Sequence, residues 1–220
     1  MKKLVVVGAG GFGREVVQLA VHQNQARPVW DILGFVDDNR DLQGKRLNGF
    51  PVLGGLDWLA DNADDKYAIL ALGEPELKKK AAERLQKSLI QYATLIHPTA
   101  VIGDFVNIGP GTIIAAGVIL TVNVNTGKHV IINVNSVIGH DVSLGDYVTI
   151  APDVNVMGAA TIGQGCYVAA GVTIRDEVTV GPHTIIGLGA VVTGDLPGAV
   201  VALGCPAKVV RENKSKKVFK

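Results

Sequence analysis

The chain has few cysteines, few aromatic residues and almost no net charge. Its 220 residues include 2 cysteines and 5% aromatic residues, and the formal net charge is +1. Two cysteines are too few for the disulfide framework of a small secreted domain. A net charge near zero gives no bulk electrostatic attraction to nucleic acid or to a membrane surface. We therefore expect neither nucleic acid nor membrane among the partners.

Long apolar runs are also missing. The apolar run that follows Lys2 and Lys3 has only four residues, whereas a signal peptide needs about 7–15. Nowhere does an apolar run approach the roughly 18 residues of a membrane-spanning helix. The sequence therefore predicts a soluble cytoplasmic protein.

The abundant residues are β-branched aliphatics and glycine. The chain contains 32 Val, 17 Ile and 27 Gly. These residue types are poor helix formers, which argues against a helical bundle. The hydrophobic content is too high for disorder, and glycine lacks the strict three-residue period of collagen. The composition predicts a β-rich protein of one or two domains.

The charged residues divide the chain into unlike parts. Residues 1–95 carry 25 charged side chains, but residues 96–200 carry only 9. This shift predicts a domain boundary near Leu95. A surface with so few charges suits association with other protein surfaces. We expect the middle part to pack against copies of itself.

An apolar residue recurs at every sixth position from Ile96 to Val192. Sixteen of these seventeen positions are Ile, Leu or Val, and Thr126 is the exception. A period of six matches neither a helix nor a simple alternating strand. It fits short strands joined by tight turns, with stacked coils burying one apolar side chain per strand. The pattern predicts a β-helix over residues 96–205, followed by a solvated basic tail over residues 206–220.

Residues 1–95 show alternating strand and helix patterns. Strands are predicted near residues 3–7, 32–36 and 67–72, with helices near residues 14–25, 56–63 and 74–87, which indicates a small parallel sheet. Gly8, Gly10 and Gly13 form the spacing G-x-G-x-x-G between the first strand and the first helix. Such glycines let the backbone approach a phosphate group at a helix N-terminus. One βαβ unit suits a single nucleoside diphosphate better than a dinucleotide. A tight turn without a ligand remains the alternative.

The two parts together resemble a known family. A glycine-rich βαβ domain followed by an uninterrupted hexapeptide solenoid resembles the nucleotide-amino-sugar N-acetyltransferases and sialic acid O-acetyltransferases of the PglD/NeuD type. The matching segments are residues 8–13, 34–38, 71–73, 96–98, 133–141 and 204–208. The resemblance implies an α/β Rossmann-like half-domain over residues 1–95 and a left-handed parallel β-helix over residues 96–205. It also implies a homotrimer with active sites between subunits.

The resemblance implies an acetyl transfer that uses acetyl-CoA and no metal. His140 would act as the general base that assists direct attack by the amine of a nucleotide-linked 4-amino-dideoxy sugar. Asp141 would orient His140 or raise its basicity, and Asn133 would support the polar network around the base. The biological context implied is the synthesis of surface glycans.

The resemblance also implies where the two substrates bind. The residues matched to the nucleotide sugar are Gly10, Gly11, Phe12, Asp37, Asp38 and Gly73. The residues matched to acetyl-CoA are Thr149, Gly158, Ala170 and Leu188. Gly158 follows His140 by 18 residues and is expected beside it in the next coil. Thr149 occupies the position at which some relatives have a second histidine, so a second-histidine role is in doubt here.

Three alternative functions remain open at the sequence level. The same base could serve an O-acetyltransferase that acts on sialic acid or another sugar hydroxyl. A β-helix metalloenzyme would need histidines clustered across an interface, and His129 and His140 are eleven residues apart on different coil faces. A non-catalytic scaffold that binds a nucleotide sugar is the third. The sequence leaves the nucleotide and the sugar unassigned.

Overall fold

The computed structural model describes residues 1–218 and divides into two compact units. The first unit comprises Met1–Gly73 and Leu77–Pro98, and the second comprises Glu74–Glu76 and the chain from Thr99 onward. The first contains a parallel sheet with helices, and the second is a parallel β-helix. The predicted fold class is therefore confirmed.

The N-terminal elements alternate strands and helices, as predicted. They are β1 Lys2–Val7, α1 Gly11–Ala26, β2 Trp30–Val36, β3 Arg46–Leu47, β4 Phe50–Pro51, α2 Leu56–Asp61, β5 Lys66–Leu70, α3 Pro75–Leu85, β6 Gln91–Tyr92 and β7 Leu95–Ile96. The parallel sheet has the order β2-β1-β5-β6. Its buried residues include Val5, Val36 and Leu70, which pack with Leu59 and Leu85 of the helices. Within residues 1–218, no helix has both the length and the apolar composition needed to cross a membrane.

The second unit is built from two-residue strands on three faces. The first face carries β10 Ile113–Ile114, β13 Ile131–Ile132, β16 Thr149–Ile150, β19 Tyr167–Val168 and β22 Ile185–Ile186, followed by β24 Val200–Leu203 and β25 Lys208–Glu212. The second face carries β8 Val101–Ile102, β11 Ile119–Leu120, β14 Val137–Ile138, β17 Asn155–Val156, β20 Thr173–Ile174 and β23 Val191–Val192. The third face carries β9 Asn107–Ile108, β12 Asn125–Thr126, β15 Ser143–Leu144, β18 Thr161–Ile162 and β21 Thr179–Val180.

Residues 18 positions apart stack in neighbouring coils. Leu120 lies opposite Ile138, and Ile138 lies opposite Val156, in parallel register. The second residue of each of these strands points inward, and Leu120 and Ile138 are fully buried. The six-residue period of the sequence therefore corresponds to one inward aliphatic side chain per strand, stacked over successive coils.

Tight turns join the strands, and in many of these turns one residue has a left-handed backbone conformation. Asn123 and Asp141 have φ values of 58° and 61°, a region that Asn and Asp enter more readily than most residues. Many of these turns also begin with a glycine, and the reason for that glycine is different. A Cβ on Gly139 would lie 2.8 Å from the Gly158 nitrogen of the next coil. Glycine there permits the close stacking of coils.

The C-terminal residues differ in part from the expected tail. The sequence predicts a solvated basic segment over residues 206–220, but the structure places Lys208–Glu212 in β25, which pairs antiparallel with β24. The β-branched pair Val209 and Val210 favours a strand beside the open edge of β24. All five residues of β25 are nevertheless exposed. Residues 219 and 220 of the predicted tail lie outside the described residues.

Candidate active site

His140 lies in the turn between β14 and β15, at the corner between the second and third faces of the β-helix. Its side chain is 64% exposed, and its Nδ1 atom lies 2.8 Å from Oδ2 of Asp141. Within this turn, Asp141 is the residue with the left-handed backbone conformation. Two consecutive residues thereby form a hydrogen-bonded histidine–carboxylate pair on the protein surface.

The Asp141 carboxylate is held by a second residue that the sequence analysis missed. Asn123 lies one coil earlier, 18 residues before Asp141, and its Nδ2 donates to Asp141 Oδ1 over 3.0 Å. The hydrogen bonds from His140 and then from Asn123 hold the pKa of the Asp141 carboxyl below its usual value. An ionised carboxylate only accepts hydrogen bonds, so His140 Nδ1 is the donor of this contact and Nε2 points away from Asp141. A step of one coil back from Asp141 would have identified Asn123.

Gly158 lies directly beside the His140 ring in the next coil. A Cβ on Gly158 would come within 2.5 Å of both Cε1 and Nε2 of His140. The Gly158 carbonyl accepts a hydrogen bond from the Glu177 N–H over 2.9 Å, whereas its own N–H has no hydrogen-bond partner among residues 1–218. Glycine therefore leaves room for the imidazole and leaves a backbone donor available near Nε2.

Three further predicted residues lie at a different corner, between the first and second faces. Asn133 follows β13, while Ala170 and Leu188 stack 18 residues apart in later coils, and Leu188 is 79% exposed. The Asn133 side chain accepts a hydrogen bond from the Val134 N–H over 2.8 Å. In the described part of the chain it makes no hydrogen bond with His140. Within one chain, Asn133, Ala170 and Leu188 therefore lie at a different corner of the β-helix from His140.

Thr149 is placed in the wall of the β-helix. It begins β16 between its register partners Ile131 and Tyr167 on the first face. Its exposure is only 4%. The single chain therefore gives the Thr149 side chain almost no surface on which a ligand could lie.

The glycine loop of the first unit joins β1 to α1. A Cβ on Gly13 would lie 2.0 Å from the Gly8 oxygen, so this glycine is required by the packing of the loop. Gly10 precedes the first residue of α1, and a Cβ there would meet no atom within 4 Å. Gly10 and Gly11 are exposed and Phe12 is half-buried. The start of α1 is thus open to a ligand.

Asp37 ties the glycine loop to the end of β2. Its Oδ2 accepts a hydrogen bond from the Ala9 N–H over 2.8 Å, and its Oδ1 accepts one from the Asn39 N–H over 2.9 Å. The carboxylate predicted to contact a nucleotide therefore also has a structural role. It fixes the loop on which Gly10 and Gly11 lie.

Asp38 joins a second network. Its Oδ1 accepts a hydrogen bond from the Leu56 N–H over 2.9 Å, and its Oδ2 pairs with Arg84, which also contacts Asp57 over 2.7 Å. Partial burial raises the pKa of the Asp38 carboxyl, but the Leu56 N–H and the Arg84 guanidinium lower it more, so the net pKa lies below its usual value. Asp38 is therefore an ionised, oriented carboxylate at neutral pH.

A cleft of about 320 Å³ lies next to this network. Most of its lining is apolar, and four charged residues contribute to it. The lining residues are Val7, Gly8, Val36, Asp37, Asp38, Leu56, Leu72, Leu77, Lys80, Ala81 and Arg84. Two predicted residues, Asp37 and Asp38, thus meet at one cleft. Gly10, Gly11, Phe12 and Gly73 are not among its lining residues. Lys80 and Arg84 were not predicted to lie here, because charged residues on a helix ordinarily indicate a solvated face.

Residues 1–218 contain no group of three or more His, Cys, Asp or Glu residues placed to hold a metal ion. His129 is buried and stacks on Tyr147, with ring centroids 5.3 Å apart. It lies at a different corner from His140. This arrangement gives the metalloenzyme alternative no support.

Known proteins resemble both parts of the chain. The family model of the PglD N-terminal domain matches residues 3–85. The curated GDP-perosamine N-acetyltransferase of Escherichia coli O157:H7 is 32% identical over 119 residues, which are 54% of this chain and 53% of that protein. The chain thus matches about half the length of this curated relative.

Two solved structures match almost the whole chain. WeeI from Acinetobacter baumannii AYE is 34% identical with a TM-score of 0.85, and the match covers 94% of this chain and 99% of WeeI. A mutant of the perosamine N-acetyltransferase from Caulobacter crescentus, in complex with CoA and GDP-perosamine, is 28% identical with a TM-score of 0.85, covering 94% and 96%. These matches include both units, so the resemblance drawn from the sequence is confirmed. The chain belongs to the family of hexapeptide-repeat acetyltransferases with a PglD N-terminal domain.

Proposed function

We propose that this protein transfers the acetyl group of acetyl-CoA to the amino group of a nucleotide-linked 4-amino-dideoxy sugar. The observation that carries the proposal is the His140–Asp141 pair, whose geometry leaves the Nε2 lone pair free at the surface. The similar Caulobacter enzyme, with CoA and GDP-perosamine bound, supports the choice of both substrates.

His140 supplies the proton acceptor for this reaction. The sugar amine attacks the thioester carbon, and His140 Nε2 accepts the proton that the amine loses as the C–N bond forms. The C–S bond then breaks, and the CoA sulfur leaves as a thiolate that takes up a proton. Imidazole suits this role because its unperturbed pKa is about 6.5. Asp141 holds the ring in the required tautomer and stabilises the imidazolium.

Gly158 supplies a donor for the developing negative charge. Its N–H has no partner among residues 1–218 and lies next to the His140 ring. A preorganised backbone N–H near the thioester oxygen stabilises the tetrahedral transition state. The lack of a side chain at Gly158 keeps this space open for the reacting groups.

The nucleotide sugar binds to the first unit. Helix α1 has no acidic residue in its first turn and no side-chain cap at Gly10, so the positive end of its dipole is uncompensated. This end favours the diphosphate, which contacts the backbone at Gly10 and Gly11, with Phe12 and Gly73 nearby. The cleft beside Asp38 accommodates the nucleoside.

A homotrimer completes the active site. His140 lies at one edge of the second face, and the corner that carries Ala170 and Leu188 lies at the other edge. A thioester bound along Ala170 and Leu188 of one copy reaches only the His140 of a neighbouring copy. The same packing brings Asn133, which shares the corner of Ala170 and Leu188, towards that His140. Apolar side chains exposed on this face, Val101 at 58% and Ile119 at 37%, support burial between subunits.

The proposed location is the cytoplasm, where acetyl-CoA and nucleotide sugars are available. Both cysteines are free, and Cys205 is exposed. An exposed free thiol suits a reducing compartment. The product would enter the synthesis of a surface glycan.

A thiol-release assay tests the proposed function. Acetyl-CoA is incubated with UDP-, dTDP-, GDP- or CMP-linked 4-amino sugars, and the wild-type protein is expected to release CoA with at least one of them. His140→Ala should lower kcat by roughly 100-fold or more, while its thermal melting stays unchanged because the side chain is exposed.

Two results would contradict the proposal. Acetylation of free sialic acid, with no reaction of any amino sugar, would show O-acetylation instead. Wild-type activity of His140→Ala would remove His140 from the mechanism and favour the scaffold alternative.

A further inference from the structure

A chain of hydrogen bonds reaches the His140 ring from the preceding coil. Asn123 Nδ2 donates to Asp141 Oδ1 over 3.0 Å, and Asp141 Oδ2 lies 2.8 Å from His140 Nδ1. Each oxygen of the carboxylate therefore has its own described partner, the amide on one side and the imidazole on the other. The carboxylate cannot rotate about its Cβ–Cγ bond without breaking one of these two contacts.

Asn123 is itself held in place through its backbone. Its N–H donates to the Asp104 oxygen over 3.1 Å, and its carbonyl oxygen accepts from Asn125 Nδ2 over 3.1 Å. Asn125 Oδ1 in turn accepts from Asn107 Nδ2 over 2.9 Å. These three asparagines form a ladder of amide groups that ends at Asp141. The Asn123 amide is therefore a fixed donor and not a mobile surface group.

The residue type at position 123 suits the orientation of a carboxylate. Asn123 has a φ of 58°, a conformation that Gly, Asn and Asp adopt most readily. At neutral pH, asparagine alone among these three offers the side-chain donor that an ionised carboxylate requires. The Asn123 side chain is exposed in the single chain, where a hydrogen bond competes with water and adds little to stability. Orientation of Asp141 therefore explains the contact better than folding does.

We infer that Asn123 is a positioning residue of the proposed acetyl transfer and acts on His140 through Asp141. Enzymes that use a histidine base commonly orient it through a third group. A fixed carboxylate keeps Nδ1 towards Asp141 and leaves Nε2 for the substrate amine. Within one chain, Asn123 takes the supporting role that the resemblance assigns to Asn133. This inference rests on the proposed function, since it needs His140 to act as the base.

Asn123→Gly removes the amide and keeps the backbone conformation, because glycine adopts a positive φ without strain. This variant should lower kcat about 10-fold, since the ring loses part of its orientation. The KM values for acetyl-CoA and the amino sugar should stay within about twofold, as expected when only the transition state is affected. Asn48→Gly is the matched control, because Asn48 also has a positive φ, 48°, and lies exposed in the turn between β3 and β4. Its kcat should equal that of the wild type.

A second variant separates the donor from the shape of the side chain. Asn123→Asp keeps the size of the side chain and the tolerance of a positive φ, but it places a second carboxylate beside Asp141. If the Asn123 amide positions Asp141, this variant should lose at least as much kcat as Asn123→Gly. A role in shaping the turn would instead leave Asn123→Asp fully active. Thermal melting and sedimentation of all variants show whether they fold and assemble.

Nitrogen NMR of histidine-labelled protein tests the same contact without turnover. It distinguishes the Nδ1–H form of the neutral His140 ring from the Nε2–H form, and His140→Ala identifies the signal. The wild type should show the Nδ1–H form, and Asn123→Gly should show a larger share of the Nε2–H form.

Three results would overturn the inference. They are wild-type kcat in folded Asn123→Gly and Asn123→Asp, an unchanged imidazole spectrum, and a loss of activity that accompanies loss of assembly, which would make Asn123 an assembly residue. If the wild type releases no CoA with any amino sugar, the proposed function fails, and the spectrum alone decides whether Asn123 orients His140.

Discussion

At the scale of residues, a histidine and an aspartate adjacent in the chain form one functional pair because the turn geometry allows it. Asp141 adopts a positive φ, and its carboxylate reaches Nδ1 of the preceding His140. Asn123 fixes the other carboxylate oxygen from the neighbouring coil. The pair is therefore oriented by the stacking of coils as well as by the local sequence.

Gly158→Ala should lower kcat by about 100-fold, because displacement of a catalytic group by about 1 Å has an effect of this size. The new Cβ would overlap the His140 ring. Gly194→Ala is the control: it lies two coils further along the same corner, where a Cβ meets no atom within 4 Å. Steady-state kinetics and melting curves of both variants test the prediction. Equal activity of the two variants would contradict it.

The two cysteines should differ in reactivity. Burial raises the pKa of the Cys166 thiol to about 12, and this side chain is fully buried. A thiol reacts as its thiolate, so Cys166 should be inert in the folded protein, whereas exposed Cys205 should react. Ellman's reagent should detect one thiol per native chain and two in denaturant. Two reactive thiols in the native protein would refute this assignment.

At the scale of elements, helix α3 is unusual because it contains a fully buried lysine side chain. Lys78 is fully buried within α3, and desolvation lowers its pKa well below the usual value. Between the folded and unfolded pKa values, the unfolded chain binds more protons at this site. The contribution of Lys78 to stability therefore becomes more favourable as the pH rises towards the unfolded pKa of about 10.4.

Lys78→Met should remove this pH dependence. The midpoint of urea unfolding is compared at pH 7 and pH 10 for the wild type and the variant, and the variant's advantage should shrink, or its disadvantage grow, at pH 10. Lys79→Met is the control, because the Lys79 side chain is 42% exposed. If the midpoint difference between wild type and Lys78→Met is the same at both pH values, burial does not suppress the charge of Lys78.

At the scale of the whole molecule, the proposed trimer predicts that two inactive variants can restore activity when they are mixed. His140→Ala removes the base at one corner, and Leu188→Asp places a charge on the cofactor surface at another corner. If each site combines the two corners from different chains, mixed trimers contain some intact sites. Random assembly of equal amounts should restore about a quarter of wild-type activity, as expected for independent choice at two positions in a closed symmetric ring.

The control for this mixing experiment uses two variants at the same corner. His140→Ala mixed with Asp141→Asn damages one element of every site and should restore nothing beyond the activity of the Asp141→Asn chains. Sedimentation equilibrium establishes the assembly state in each mixture. Absence of restoration in assembled His140→Ala/Leu188→Asp trimers would show that the site lies within one chain.

The sequence alone determined the architecture because the β-helix is a local repeat. Ile138 and the other inward aliphatics recur every six residues, so the short strands and the turns follow from the spacing. The stacking of residues 18 apart came from the family resemblance, and the strand register bears it out. The strand–glycine–helix pattern around Gly10 likewise reported the first βαβ unit. The tertiary structure decided the contacts that no repeat specifies. Asn123 reaches Asp141, Arg84 orients Asp38, and Asn133 lies away from His140, because side chains distant in the chain meet only after the coils stack and the helices pack.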